Sequence, residues 1–306
     1  MDGILVVAKP VGPTSHDIVG LVRRLAATKR VGHGGTLDPF ASGVLPVFLG
    51  KATRLVEYHL GDRKRYRATV CFGASSTTDD LEGALTPAAG PPPTRDAVEA
   101  ALDAFRGEIQ QRPPDYSAIK VAGRRAYALA RAGQSVELAL RTVTIHAIDV
   151  VSWDAATAGE PVAIVDVECS AGTYVRSLAR DLGEAVGSAA YLGALTRTAS
   201  GPFELRDATT VEDLRAAAEG GPDRLAALLR PVDAGLDLPT VTVPESAVAA
   251  IGRGQPIGVP AGVGTLEPEA PLRLVDATGR LLAIARLVGT KLAPDKVLIE
   301  APGGAE

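Results

Sequence analysis

The stretch from residue 64 to residue 73, "KRYRATVCFG", is the one whose reading decides the architecture. Tyr66, Ala68, Val70 and Phe72 fall on one side of an extended chain; Arg65, Arg67, Thr69 and Cys71 fall on the other. A period of two with one apolar face predicts a half-exposed strand with its basic residues outward. Working outward, "GILVVAKP" (3–10) predicts a short buried strand closed by Lys9-Pro10. "TVTIHAIDVVS" (142–152) and "PVAIVDVECS" (161–170) predict two neighbouring strands. Between them lie helical patterns. "TSHDIVGLVRRLAA" (14–27) has Ser15 as N-cap and Ile18, Val19, Val22 and Leu25 on one face,. A helix from Thr94 lines up Val98, Leu102 and Phe105, and "RRAYALARAG" (124–133) reads as a short basic helix. "YVRSLARDLG" (174–183) carries the stripe Val175, Leu178, Ala179 and Leu182, with Gly183 as its stop,. Strands and helices mix without strict alternation, which predicts an α+β fold rather than a doubly wound sheet.

The chain changes character near Pro231. "DLPTVTVPES" is an extended, proline-marked linker, and "LRLVDATGRLLAIARLVG" reads as two strands around a turn at Asp276–Gly279,. A small β-rich domain is therefore expected over 238–306, after a large domain over 1–237. The proline-rich "TPAAGPPPT" (86–94) reads as a flexible surface connection.

At 306 residues, with 46% apolar and 22% charged residues, the chain has the composition of an ordinary globular protein,. No apolar run reaches membrane-spanning length, and the N-terminus lacks the basic start and longer apolar middle of a secretory signal. Two cysteines, Cys71 and Cys169, are too few for a disulfide framework, and no Cys/His spacing suggests zinc,. A cytoplasmic protein is the expectation. Net charge is −4, yet the charge is clustered. Lys51, Arg54, Arg63, Lys64, Arg65 and Arg67 form one basic group. Arg112, Lys120, Arg124, Arg125, Arg131 and Arg141 form another, with an acidic stretch between them. Such patches can grip phosphates, and they can equally be solvated charged faces.

"GHGGTLDPFASGVLP" (32–46) poses the chemical question. It is not a nucleotide-phosphate loop, since no Gly-Lys-Ser/Thr follows the glycines. Gly34 and Gly35 permit a sharp turn and close approach to a ligand. Asp38 before Pro39 is the usual grammar of a helix start, so from these residues alone it reads as a cap more readily than as a catalytic acid. Arg176 and Arg180, four apart, share a helix face beside Asp181, which by itself suggests a surface ion pair. His33, Tyr66, Tyr174 and Tyr127 are aromatic groups that could stack on RNA bases or fill partial core.

Six ordered blocks between Gly3 and Phe203 resemble the tRNA pseudouridine synthase B family. They are "GILVVAKPVGPTSHDIV", "KRVGHGGTLDPFASGVLPVFLGKATR", "KRYRATVCFG", "YSAIKVAGRRAYALARAG", "VECSAGTYVRSLARDLG" and "YLGALTRTASGPF". The resemblance implies a mixed, mainly antiparallel pseudouridine synthase-type sheet with flanking helices. It also implies an RNA-gripping insertion at about 85–140 and a small PUA-like RNA-binding barrel at the C-terminus. It implies isomerisation of the T-loop uridine (uridine-55) of tRNA to pseudouridine. Asp38 then matches the essential aspartate, acting as nucleophile on the ribose anomeric carbon or as base in a glycal route. Tyr66 matches the tyrosine packed on the target base, and Arg176 the arginine paired with the aspartate. His33, Tyr174 and Leu192 match positions that shape the pocket, and Lys9-Pro10 a support beneath the loop. Lys64, Lys120, Arg124, Arg125, Tyr127, Arg131 and Arg197 are the expected RNA contacts.

This chemistry breaks one glycosidic bond and makes another without redox change or phosphate transfer, so neither cofactor nor metal is expected. It needs the base out of its stack, at a cost of a few kcal/mol, and a sheltered ionised carboxylate that a guanidinium would steady. The expected partner is the T-stem-loop of tRNA, bound by a monomer with no obligate protein partner. Two other readings stay open from sequence: a tRNA-folding chaperone with incidental catalysis, and a guide-RNA-dependent synthase subunit.

Overall fold

The computed structural model describes residues 1–116, 120–121, 124–125, 138–155 and 160–300. In chain order the strands are β1 (Gly3–Lys9), β2 (Val31–His33), β3 (Ser42–Leu49), β4 (Lys64–Phe72), β5 (Ala74–Ser76), β6 (Leu85–Pro87), β7 (Gly107–Gln111), β8 (Lys120–Val121), β9 (Arg124–Arg125) and β10 (Arg141–Asp154). They continue with β11 (Val162–Cys169), β12 (Ala190–Ser200), β13 (Phe203–Glu204), β14 (Thr209–Thr210), β15 (Thr240–Thr242), β16 (Ile257–Gly258), β17 (Pro271–Val275), β18 (Leu281–Val288) and β19 (Lys291–Val297). The helices are α1 (Ser15–Leu25), α2 (Val56–Leu60), α3 (Arg95–Ala101), α4 (Val175–Ala185), α5 (Val211–Glu219), α6 (Pro222–Ala226) and α7 (Glu245–Gly252).

The main sheet runs β14-β1-β3-β12-β4-β11-β10-β7, with β2 added to β3 and β13 to β12. Its pairings are antiparallel except β1 with β14 and β3 with β12. β4 sits at the centre, and its alternation is what the sequence predicts. Ala68, Val70 and Phe72 are buried, and Arg65 and Arg67 exposed. α4 and α3 cover the inner face: Val175, Leu178, Ala179 and Leu182 pack with Val98, Leu102 and the β4 residues in one core. α1, α5 and α6 close a second core over β1 and β3, formed by Ile18, Val22, Leu45, Val47 and Leu214. Each such side chain contributes about 1.5–3 kcal/mol on burial.

Three local expectations are corrected. α1 is capped by Thr14, whose hydroxyl accepts from Asp17 N in a capping box, and not by Ser15. α4 continues through Gly183 to Ala185. Gly183 is there for contact, because a Cβ would stand 2.3 Å from Ala190 N on β12. Arg124 and Arg125 lie in the short β8–β9 pair, not in a helix, and the rest of the predicted basic helix lies outside the described residues.

A second sheet, ordered β15-β17-β18-β19-β16, forms a half-barrel whose edge strands do not pair with each other. The predicted turn at Asp276–Gly279 joins β17 to β18. This sheet docks on the main domain through Leu55, Leu236, Val275, Leu281, Ile284 and Leu298. Among the described residues no helix is long and apolar enough to cross a membrane.

Candidate active site

No helix begins at Pro39. Residues 34–41 form an irregular loop in which Ala41 N donates to Asp38 O at 3.1 Å, and the chain then enters β3 at Ser42. The cap reading of Asp38 therefore fails: its carboxylate is left for another use. Gly34 lets this loop lie on β3, since a Cβ there would meet the Phe48 ring at 2.9 Å.

The loop is held from several sides. Ser15 Oγ donates to Leu37 O at 3.0 Å and accepts from Leu37 N at 2.8 Å. Gly12 N donates to Pro39 O at 2.8 Å. Lys9, 1% exposed, donates Nζ to the carbonyls of Pro10 and Pro13 at 2.9 Å and of Pro39 at 3.4 Å. Burial brings the Lys9 ammonium down to about 8, although Asp38 opposes the shift. Arg197, also 1% exposed, donates Nε to Val44 O at 2.7 Å, Nη1 to Thr36 O at 3.3 Å and Nη2 to Gly35 O at 3.2 Å.

Over this loop opens a cavity of about 260 Å³ lined by Asp38, Tyr66, Lys64, Leu60, Tyr174, Arg176, Leu195 and Arg197, among others. Arg176 enters from the first turn of α4. Its Nη2 lies 3.0 Å from Asp38 Oδ2, and its Nη1 lies 3.2 Å from Asp80 Oδ2. It also donates to Thr78 O at 3.2 Å and Tyr116 O at 3.1 Å. Burial pushes the Asp38 carboxyl above the ordinary carboxylate value; Arg176 pulls it back, and Asp80 adds to the push,. Burial likewise raises the Tyr66 phenol against the opposing Arg197 guanidinium. The arrangement supplies one half-exposed carboxylate steadied by a nearly buried guanidinium, facing a tyrosine across a space large enough for a nucleoside-sized group.

Of the expected site residues, Asp38, Tyr66, Arg176 and Tyr174 meet at this cavity, with Lys64 and Arg197 beside them. Leu192 does not: it is fully buried opposite Val70, about 13 Å along β4 from Tyr66, and Leu195 opposite Ala68 takes the lining position,. His33, on β2 opposite Val47, also lies outside the lining; burial, aided by Arg197, lowers its imidazole below the usual value. Lys64 and Arg197, expected as RNA contacts, are nearly buried and line the cavity. Lys64 donates Nζ to Asp62 O at 2.7 Å and is brought by burial to about 8. Tyr127 and Arg131 lie outside the described residues, and Lys120, Arg124 and Arg125 sit in the β8–β9 pair. Sequence reasoning passed over Asp80, whose only visible trait was membership of an acidic stretch. Among the described residues no His, Cys, Asp and Glu side chains group to hold a metal ion.

A larger cavity of about 490 Å³ lies between the two sheets. Its Asp2 accepts from Lys51 N at 2.8 Å within the main domain, and its Asp233 faces Arg273 of the second sheet at 3.6 Å, so both acids already have partners. The outward charges on and just before β4 are also matched: Arg63 with Glu168, Arg65 with Glu204, and Arg67 with Asp166.

The model of the TruB family pseudouridylate synthase N-terminal domain matches residues 23–175, and that of the tRNA pseudouridylate synthase B C-terminal domain matches 176–237. A protein of Arthrobacter sp. (strain FB24) named tRNA pseudouridine synthase B is 44% identical over 313 residues, covering 100% of this chain and 99% of its own. One of the same name from Geobacillus kaustophilus (strain HTA426) is 46% identical over 267 residues, covering 85% of this chain and 92% of its own. Among solved structures, an H/ACA RNP bound to a substrate RNA containing 2'-deoxyuridine aligns with a TM-score of 0.76 and 27% identity, over 98% of this chain and 86% of the other. The archaeal box H/ACA sRNP Nop10-Cbf5 complex aligns with a TM-score of 0.73 and 26% identity, over 98% of this chain and 87% of the other. With its Asp38–Arg176 pair set in that fold, the chain belongs to the tRNA pseudouridine synthase B family.

Proposed function

We propose that this protein converts the T-loop uridine (uridine-55) of tRNA to pseudouridine, with the Asp38 carboxylate as the reacting group. The observation that carries the reading is the Arg176–Asp38 contact at the floor of the cavity beside Tyr66. A uridine flipped out of the T-loop places its ribose over Asp38 and its base against the Tyr66 ring. The N1–C1′ bond then breaks with Asp38 either bonded to C1′ or taking the C2′ proton. The uracil turns and C5 bonds to C1′ as the Asp38–C1′ bond breaks or, in the other route, as Asp38 returns its proton to C2′; the C5 proton leaves with help from the Tyr66 oxygen, and N1 regains a proton. Atoms balance and nothing is oxidised. Both routes need Asp38 ionised, which Arg176 favours against the burial that opposes it,.

Direct action on tRNA, without a guide RNA, is supported by the names of relatives at 40–46% identity, compared with 26–28% for the chains of the H/ACA assemblies. The β8–β9 region and the half-barrel of β15 to β19 are proposed to grip the tRNA around the T-arm, with the protein a cytoplasmic monomer. The test is Asp38→Asn. Pseudouridine formation on an unmodified T-arm RNA should vanish while RNA binding persists; turnover at the wild-type rate would refute the mechanism.

A further inference from the structure

One helical turn beyond Arg176, Arg180 repeats the arrangement against the neighbouring aspartate. Arg180 Nη1 lies 2.7 Å from Asp79 Oδ2 and its Nη2 lies 2.8 Å from Asp181 Oδ1. Nη2 also donates to Arg112 O at 3.0 Å. The side chains of Asp79 and Arg180 are each 15% exposed, so the pair is far better sheltered than a surface ion pair,. Neither residue lines the cavity, and the reaction as written uses neither.

What the pair holds is the turn that delivers Asp80. Asp79 has a φ of 60°, a left-handed conformation that costs any L-residue energy and that aspartate tolerates better than most,. Asp80 Oδ1 accepts from the Thr78 hydroxyl at 2.5 Å and from Glu82 N at 3.0 Å, which leaves Oδ2 for Arg176 at 3.2 Å. Thr78 O receives the same guanidinium. On one side the turn is fixed to β12 by Leu192 N to Asp79 O at 3.0 Å and Leu81 N to Leu192 O at 3.1 Å. On the other it meets α4 twice, through Asp80 with Arg176 and through Asp79 with Arg180. Adjacent aspartates thus face arginines four apart on one helix face, and the outer rung fixes the spacing of the inner one.

We infer that Asp79 and Arg180 are positioning residues for uridine isomerisation: their ion pair clamps the Thr78–Asp80 turn to α4, so that the Asp80 carboxylate holds Arg176 against Asp38. This rests on the reading of Asp38 and Arg176 as the reactive pair. The clamp differs from a structural bond in that its effect passes through Asp80 alone.

The test uses the full chain and an unmodified T-arm stem-loop RNA. Arg180→Met and Asp79→Asn should each slow the single-turnover rate about tenfold, with KM unchanged within about twofold, and Arg180→Lys should restore most of the rate. In an Asp80→Asn background, Arg180→Met should add less than about a further twofold, because the two changes act on one contact. Equal losses in both backgrounds, or a wild-type rate in Arg180→Met and Asp79→Asn, would overturn the clamp. Should Arg180→Met fail to fold, Asp79→Asn alone and with Asp80→Asn decides the matter. A wild-type protein that does not isomerise the RNA overturns the underlying reading, whereas an active wild type with indifferent variants removes the clamp alone.

Discussion

The two faces of β4 carry their charges in opposite ways. On the outer side Arg65 and Arg67, with Arg63 just before the strand, are 49–66% exposed, and each faces an acid across the sheet. On the inner face and above it Lys9, Lys64, Arg176 and Arg197 are nearly buried, and most of their donors go to backbone carbonyls of loops. An exposed pair trades one solvated partner for another, so it contributes little. A buried cation tied to carbonyls fixes the path of the backbone, and its loss leaves several acceptors unpaired at once. The cations that shape chemistry here are therefore the ones that hold loops still.

Arg176→Met should break this contrast hardest. It leaves Asp80 buried without its cation, at a cost of about 3–5 kcal/mol in stability, read from urea unfolding,. The plateau rate of isomerisation should fall about a hundredfold or more. The sign of the pH effect follows from the charges facing Asp38, which are Arg176, Asp80 and Lys9. Arg176 is the strongest influence opposing the raised value, so its removal raises the Asp38 carboxyl further. The acid limb of the single-turnover rate, which requires ionised Asp38, should then move to higher pH. A limb that stays in place or moves down would contradict the assignment.

Arg197→Met comes next. Three carbonyls, of Gly35, Thr36 and Val44, lose a charged donor, and the Asp38 loop loses its attachment to β12. The expected loss is about 1–3 kcal/mol in stability and about tenfold in rate, with RNA affinity retained. A loss of affinity with an unchanged rate would return Arg197 to the role of RNA contact that the family resemblance implies.

What the sequence showed and hid follows the same division. The β4 alternation was legible because each face meets a single environment, and α4 was legible because its apolar stripe meets a single core. The loop around Asp38 was not. Asp-Pro spells a cap equally well in a helix and in a turn, and the Ser15, Lys9 and Arg197 contacts that set this turn come from 22, 30 and about 160 residues away. Gly183 read as a stop because sequence cannot show that β12 presses against the helix at that point. Leu192 read as pocket lining, but a register shift in β12 just after it, between Leu192 and Ala194, precedes Leu195, the residue that reaches the cavity. Lys64 and Arg197 were expected as RNA contacts, yet both are buried. The carbonyls awaiting them belong to other segments, and no local pattern announces them.

The smallest expected effect is the sharpest test of the contrast. Arg67 and Asp166 form the best-made pair on the outer face, with Nε to Oδ1 and Nη2 to Oδ2 both at 2.8 Å between directly opposed residues of β4 and β11. Two parallel hydrogen bonds between planar groups are the geometry in which a surface pair contributes most. Arg67 is nevertheless 56% exposed and Asp166 41%, so water competes for both and salt screens what remains,. Arg67→Ala should leave the isomerisation rate within about twofold of wild type and the thermal midpoint almost unmoved, with any residual difference fading in high salt. If this substitution instead slowed the reaction as far as Arg197→Met does, exposure would not be what separates the two faces. The outer arginines would then have to act on the substrate directly, as basic contacts to the RNA backbone.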